Sequence, residues 1–252
     1  MKSDFATVGQ LLKNSKRVLF ITGAGVSAES QIPTFRGATA AFADGMTEEG
    51  LSFEYVLSGT NFTRNPALLW KYFFLLELSM RSKKPNAAHH AMAALDTPQR
   101  RVCVATQNID GLHQRAGSRE VLELHGNLRR IICTKCDYFV DLETFESLAK
   151  LPCCPQCGVI LRPNIVLYEE QLPYRVLDAF DREQGKGFDL VFSVGTTSLF
   201  HYVTQPIIIA ARRSIPVVEI NPERTPITDL ADFRFANTAG NTMQKLMQEI
   251  EL

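Results

Sequence analysis

Four short apolar runs recur along the chain, and none alternates with polar residues. They cover residues 17–22, 101–106, 189–194 and 216–220. A strand with one wet face alternates; a continuous run of this length suits a strand covered on both faces. Segments with helix-like apolar spacing lie between them, at residues 68–80, 87–95, 206–213 and 242–250. Strand alternating with helix predicts a parallel sheet sandwiched by helices. Residues 37–95 and 126–167 break the alternation, and the two insertions together are expected to form a smaller second lobe.

The informative residues follow the strands. The first run ends at Gly23-Ala24-Gly25, the second at Gln107-Asn108-Ile109-Asp110-Gly111, the third at Gly195-Thr196-Thr197-Ser198 and the fourth at Asn221. Ligands of open parallel sheets bind outside the carboxyl ends of the strands. Gly23 to Ala28 fits G-x-G-x-x-A directly after a strand, a pattern in which glycines permit a tight turn and close approach of a pyrophosphate. A plain strand-to-helix turn is the bland alternative. Pro33 should stop the helix early. The strand-end acid expected about 20 residues on is missing, since Asp44 sits among small residues. An ordinary hydride-transfer enzyme is therefore disfavoured.

Composition narrows the partners. The 252 residues are 45% hydrophobic and 21% charged, ordinary for a globular protein, with 27 basic and 27 acidic side chains. A zero net charge does not favour electrostatic capture of nucleic acid or an anionic membrane. No apolar run is long enough to span a bilayer, and no secretory segment follows Met1. A cytoplasmic location with reduced thiols is expected. Cys133-x-x-Cys136 and Cys154-x-x-Cys157, 17 residues apart, have zinc-ribbon spacing. Four thiolates close a tetrahedron and leave no position for water, so one structural Zn²⁺ is expected. Cys153 is a competing ligand in the wrong register, and Cys103 reads as strand filler. Of five histidines, His125 stands out in Glu123-Leu124-His125-Gly126. Its imidazole can accept a proton near neutrality, although a structural role is as good a reading of the residue alone.

Taken together, Gly23 to Ser30, Ile32-Pro33-Thr34-Phe35-Arg36, Thr106 to His113, Glu123 to Gly126, the two cysteine pairs and Gly195 to Ser198 resemble the sirtuins, NAD-dependent protein lysine deacylases. The motifs run in the family's order over roughly residues 17–225. The resemblance implies an α/β fold: a Rossmann-like parallel sheet domain (1–36, 96–125 and 168–252), a cofactor loop and helical insertion (37–95) and a zinc-ribbon insertion (126–167). It implies NAD as co-substrate and acyl-lysine proteins as partners. Gly23, Ala24, Gly25 and Ser27 belong to the pyrophosphate motif, and Phe35 and Arg36 to a loop closing over the cofactor. Gln107 and Asn108 would contact the nicotinamide ribose, and Ile109 and Asp110 the carboxamide. Gly195, Thr196, Ser198 and Asn221 would line the adenosine side. His125 would be the general base, with Asn108 also catalytic.

Several positions depart from the family pattern. Tyr168-Glu169-Glu170 stands where Phe-Gly-Glu is usual on the peptide-binding strand. Leu199-Phe200-His201-Tyr202 replaces a valine-and-proline pattern, and Ala40-Ala41-Phe42 replaces the usual sequence after Arg36. Members that remove acidic acyl groups carry Tyr-x-x-Arg on the helix after a tryptophan. Counting from Trp70, Phe73 and Leu76 occupy those positions, so neutral acyl groups, acetyl above all, are expected. The alternatives are protein mono-ADP-ribosyl transfer and a non-catalytic NAD-binding sensor. A zinc-ribbon nucleic-acid binder would need more than Arg129-Arg130 and Lys135. A monomer is expected.

Overall fold

The computed structural model describes residues 4–33 and 45–251. Phe35, Arg36, residues 40–42 and Asp44 lie outside them. The elements run α1 (Phe5–Asn14), β1 (Arg17–Thr22), α2 (Ala24–Ser27), α3 (Phe53–Val56), α4 (Gly59–Arg64), α5 (Pro66–Arg81) and α6 (Ala87–Ala94). Then come β2 (Arg101–Thr106), α7 (Leu112–Arg115), β3 (Glu120–Glu123), β4 (Gly126–Ile132), β5 (Phe139–Asp141) and β6 (Arg162–Ile165). The chain closes with α8 (Tyr174–Gly185), β7 (Leu190–Val194), α9 (His201–Arg212), β8 (Val217–Ile220), β9 (Phe233–Phe235) and α10 (Ala239–Glu251).

Six strands form one parallel sheet in the order β3-β2-β1-β7-β8-β9. The continuous apolar runs are explained by cover on both faces. Val18 and Phe20 of β1 pack with Val104, Phe192 and Val218 under α1, α6 and α10. Leu19 and Ile21 point the other way, to Phe180 of α8 and Val203 and Ile207 of α9. Strand order reverses between β1 and β7, and this switch point opens a crevice at the carboxyl ends.

A second, antiparallel sheet, β5-β4-β6, shares a third core with α3, α4 and α5. Trp70 anchors it: the indole is fully buried, meets Phe73 edge-on at 5.5 Å and donates to the Leu161 carbonyl at 2.8 Å. Pro66 opens α5 at a first-turn position, capped by the Asn65 side chain. The expected α/β architecture, a parallel sheet with a smaller lobe, is therefore present. One boundary differs from expectation. The helix placed from Pro206 begins at His201 and keeps Pro206 inside. Proline lacks only the N–H that would bond the Tyr202 carbonyl, and Val203 and Thr204 hold the first turn through the Phe200 carbonyl.

Candidate active site

The carboxyl ends of β1, β2, β7 and β8 face the lobe across a cavity of about 1220 Å³. A second hollow beneath α8 and α9 offers about 30 Å³, too small for any dinucleotide. The large cavity is lined by Gly23, Ala24 and Gly25 after β1, by Gln107, Asn108 and Ile109 after β2, and by His125 after β3. Gly195 and Thr196 after β7 and Asn221 after β8 complete that side. Ser27, Asp110 and Ser198 are buried behind this lining rather than on it.

The loop after β1 is clamped to the end of β7. The Gly23 amide donates to Val194 and the Gly25 amide to Gly195. A Cβ on Gly25 would lie 2.7 Å from the Gly195 Cα. This backbone-to-backbone contact, more than room for a phosphate, is what the structure itself demands of glycine here. Asn108 donates to the Gly23 carbonyl at 3.1 Å and to Ser27 Oγ at 3.0 Å, and Ser27 donates to Asp110 at 2.7 Å. Asp110 also accepts the Leu112 amide, while burial pushes its carboxyl up from the usual range. Gln107 donates to Thr196 Oγ1 at 2.8 Å, and Asn221 to the Thr196 carbonyl at 2.9 Å. The four strand ends thus form one bonded platform.

His125 sits where the two sheets meet. Its carbonyl accepts the Val166 amide beyond β6. The next residue must be glycine: Gly126 has φ 79°, and a Cβ there would lie 1.9 Å from the Asn164 carbonyl oxygen. Burial lowers the His125 pKa, partly opposed by a hydrogen bond at the Gln107 backbone, so the ring is neutral at pH 7. Its Nε2 lies 2.6 Å from the Tyr202 hydroxyl. Tyr202 escaped the sequence reading as a site residue. The only signal was the unusual run after Ser198.

On the lobe, Cys133, Cys136, Cys154 and Cys157 converge, with all four sulfurs within 4.8 Å of one another. The shortest separations are 3.4 Å (Cys133 to Cys157) and 3.5 Å (Cys136 to Cys154). A tetrahedral zinc with Zn–S near 2.3 Å sets its sulfurs about 3.8 Å apart, so the cluster fits the ion. The Lys135 and Cys136 amides donate to Cys133 Sγ and pull that thiol down to about 6. Cys153 is exposed and outside the cluster. Cys103 is buried in β2, and burial pushes its thiol up to about 12.

Residues 23–201 match the Sir2 family model. The chain is 40% identical over 251 residues to NAD-dependent protein deacylase 2 of Pseudomonas aeruginosa, covering 98% of both. It is 36% identical to NAD-dependent protein deacylase 1 of Archaeoglobus fulgidus, covering 95% of both. The chain belongs to the Sir2 family. Among solved Sir2 structures, a mutant homologue bound to 2′-O-acetyl-ADP-ribose superposes with a TM-score of 0.87 at 36% identity, over 97% of this chain and 96% of that one. A Sir2 homologue bound to NAD gives 0.86 at 35% identity, over 97% and 93%.

The departures from the Sir2 pattern now have places. Tyr168 pairs with Leu57 and Gly59 through its backbone. Glu169 follows in the left-handed region at φ 71° and accepts the Thr60 amide at 3.2 Å. Phe73 and Leu76 are buried in the lobe core. Arg81, at the end of α5, is engaged by Glu77 and Glu146.

Proposed function

We propose that this Sir2-family chain is an NAD-dependent protein lysine deacylase, acting first on acetyl-lysine and giving nicotinamide, O-acyl-ADP-ribose and free lysine. The observation that carries the reading is that His125 opens on the same cavity as the Gly23–Gly25 loop, at the seam between sheet and lobe. The cavity has room for a dinucleotide and an entering side chain together, since common ligand pockets hold up to about 1000 Å³. The Sir2 homologues bound to NAD and to 2′-O-acetyl-ADP-ribose support it.

In this reading Gly23, Ala24 and Gly25 receive the pyrophosphate, with Ser27 fixing Asn108 from behind. Gln107 and Asn108 orient the nicotinamide ribose. Ile109 holds the carboxamide end with Asp110 behind it, and Gly195, Thr196 and Asn221 the adenosine end with Ser198 behind them. When bound, NAD supplies the ribose carbon that takes the acyl oxygen as nicotinamide departs. Asn108 and the apolar wall at Ile109 keep water from that carbon. His125 then takes a proton from the ribose hydroxyls so that an oxygen can attack the acyl carbon. Its neutral ring is the form that can do so. Cys133, Cys136, Cys154 and Cys157 hold a structural zinc that pins the lobe and leaves no open coordination position.

The working form is a cytoplasmic monomer, in keeping with four thiols that must stay reduced. No described helix is long and apolar enough to cross a membrane. No nucleic-acid role is proposed, because Arg129 and Arg130 are paired with Glu143 and Asp141.

The test is mass spectrometry of an acetyl-lysine peptide with the protein, with and without NAD. O-acetyl-ADP-ribose and nicotinamide should form together. His125→Ala should lose at least about 10²-fold in turnover while calorimetry shows NAD still binding. Retained deacylation in that variant would refute the assignment of His125. An ADP-ribosylated protein without O-acetyl-ADP-ribose would point to transferase chemistry instead. Acyl choice gives a second check. Phe73 and Leu76 are apolar and buried, Arg81 is paired with Glu77 and Glu146, and a buried unpaired carboxylate costs several kcal/mol. Acetyl-lysine peptide should therefore turn over faster than succinyl-lysine peptide, measured side by side.

A further inference from the structure

The Tyr202 hydroxyl has no part in the reaction as drawn so far, yet it occupies the business end of the base. The His125 ring has two nitrogens. In the neutral ring one of them carries the proton and the other a lone pair. The relay uses the tautomer with the proton on Nδ1 and the lone pair on Nε2. The phenol is 2.6 Å from Nε2, at the short end for a hydroxyl donor. In that tautomer Tyr202 O–H donates into the lone pair that accepts the substrate's proton.

The phenol is held in place. Tyr202 stacks on Phe200 with centroids 5.4 Å apart and 10° between planes. Both rings meet His125 edge-on, at 5.9 Å and 6.4 Å. The first turn of α9 delivers it, with Val203 and Ile207 buried beneath. Both Tyr202 and His125 line the large cavity. A hydroxyl donates one proton and still accepts through its free lone pairs, so its outer side can receive another hydroxyl.

We infer that Tyr202 is a catalytic relay: the proton leaving the ribose hydroxyl reaches His125 through the Tyr202 hydroxyl. The ribose O–H bond breaks as a new O–H bond forms on the phenol oxygen. The phenol's original O–H bond breaks as N–H forms at Nε2. The phenol ends neutral, the imidazole positive and the ribose oxygen negative, so charge and protons balance. Burial pushes the Tyr202 pKa up, which keeps the phenol protonated and makes it a conduit rather than a rival base. The inference rests on the deacylase reading and adds a residue to it.

The experiment compares wild type, Tyr202→Phe, His125→Ala and the double variant, on acetyl-lysine peptide with NAD. Two readouts are taken: O-acetyl-ADP-ribose formation, and exchange of labelled nicotinamide into NAD, which precedes proton removal. For Tyr202→Phe, product formation should fall about 10-fold or more in kcat, with KM for NAD and the exchange rate near wild type. The double variant should be no slower than His125→Ala alone. Unchanged or faster product formation in Tyr202→Phe would overturn the relay, showing the phenol to be a mere cover. Additive losses in the double variant would overturn it too. If Tyr202→Phe does not fold, site-specific 3-fluorotyrosine at 202 decides. Its more acidic phenol should change kcat several-fold in a relay, and an unchanged kcat overturns it. A wild type that forms no O-acetyl-ADP-ribose defeats the deacylase reading itself, and the relay with it.

Discussion

At the scale of single residues, burial decides which imidazoles titrate usefully. His89 and His113 lie ring to ring, 4.7 Å between centroids, under the sheet crest. His113 bonds Thr22 Oγ1 at 3.1 Å, and His89 accepts the Asn86 amide in the cap of α6. Burial takes their pKa values down to about 4 and about 3, with His113 adding to the shift of His89. An unfolded histidine titrates near 6.5. The unfolded chain therefore takes protons that the folded chain refuses. Stability is fully present above about pH 6.5 and is lost progressively as pH falls toward 4. Thermal melts should show the midpoint dropping from pH 7 to pH 5, and the drop should shrink in His89→Gln/His113→Gln. A midpoint flat over that range would contradict the burial argument. His125 was legible in the sequence because a glycine beside a lone histidine is a readable sign. Its hydroxyl neighbour was not, because 77 residues separate His125 from Tyr202 and no local rule joins them.

At the scale of elements, the sheet was legible where strands are long and covered on both faces. The runs at 17–22 and 101–106 match β1 and β2 residue for residue, and those at 189–194 and 216–220 begin one residue before β7 and β8. The strands that escaped are short or half-covered. β3 is only Glu-Val-Leu-Glu at a sheet edge, with every residue half-buried, so it carries neither an apolar run nor alternation. β9 is three residues long. The helix start at His201 was hidden by Pro206, since proline ordinarily opens helices and here sits in the second turn. The lobe was legible through chemistry instead of periodicity, from two C-x-x-C pairs. The β4–β5 turn carries Cys133 and Cys136, and the β5–β6 connection carries Cys154 and Cys157. Metal binding in such a lobe is folding free energy. Chelation should therefore lower the melting temperature and loosen β4–β6 selectively in hydrogen exchange, while protection in β1, β2 and β7 persists. Added zinc should restore it. Equal protection of β4–β6 with and without chelator would show that the lobe needs no metal.

At the scale of the whole molecule, summed charge conceals a local imbalance. The chain's 27 basic and 27 acidic side chains cancel. Among the described residues lining the cavity, however, Glu29, Glu169, Glu170, Asp181 and Glu223 face one basic residue, Arg224. Two of these six are paired with an opposite charge. Glu170 is paired with Arg162 and Arg224 with Asp229. Glu29, Glu169, Asp181 and Glu223 remain to set the field at the cleft. Clefts with low-dielectric walls concentrate such a field, and it acts mainly on encounter and selectivity. Acetyl-lysine peptides flanked by lysine or arginine should show a lower KM than peptides flanked by glutamate. The gap should narrow as salt rises and the Debye length falls from about 10 Å at 0.1 M to about 3 Å at 1 M. Glu169→Gln should shrink it further, because Glu169 lines the cavity next to Tyr168, which pairs with Leu57 and Gly59. Equal KM values for the two peptides at low salt would show that the cleft's carboxylates are screened from the substrate's path.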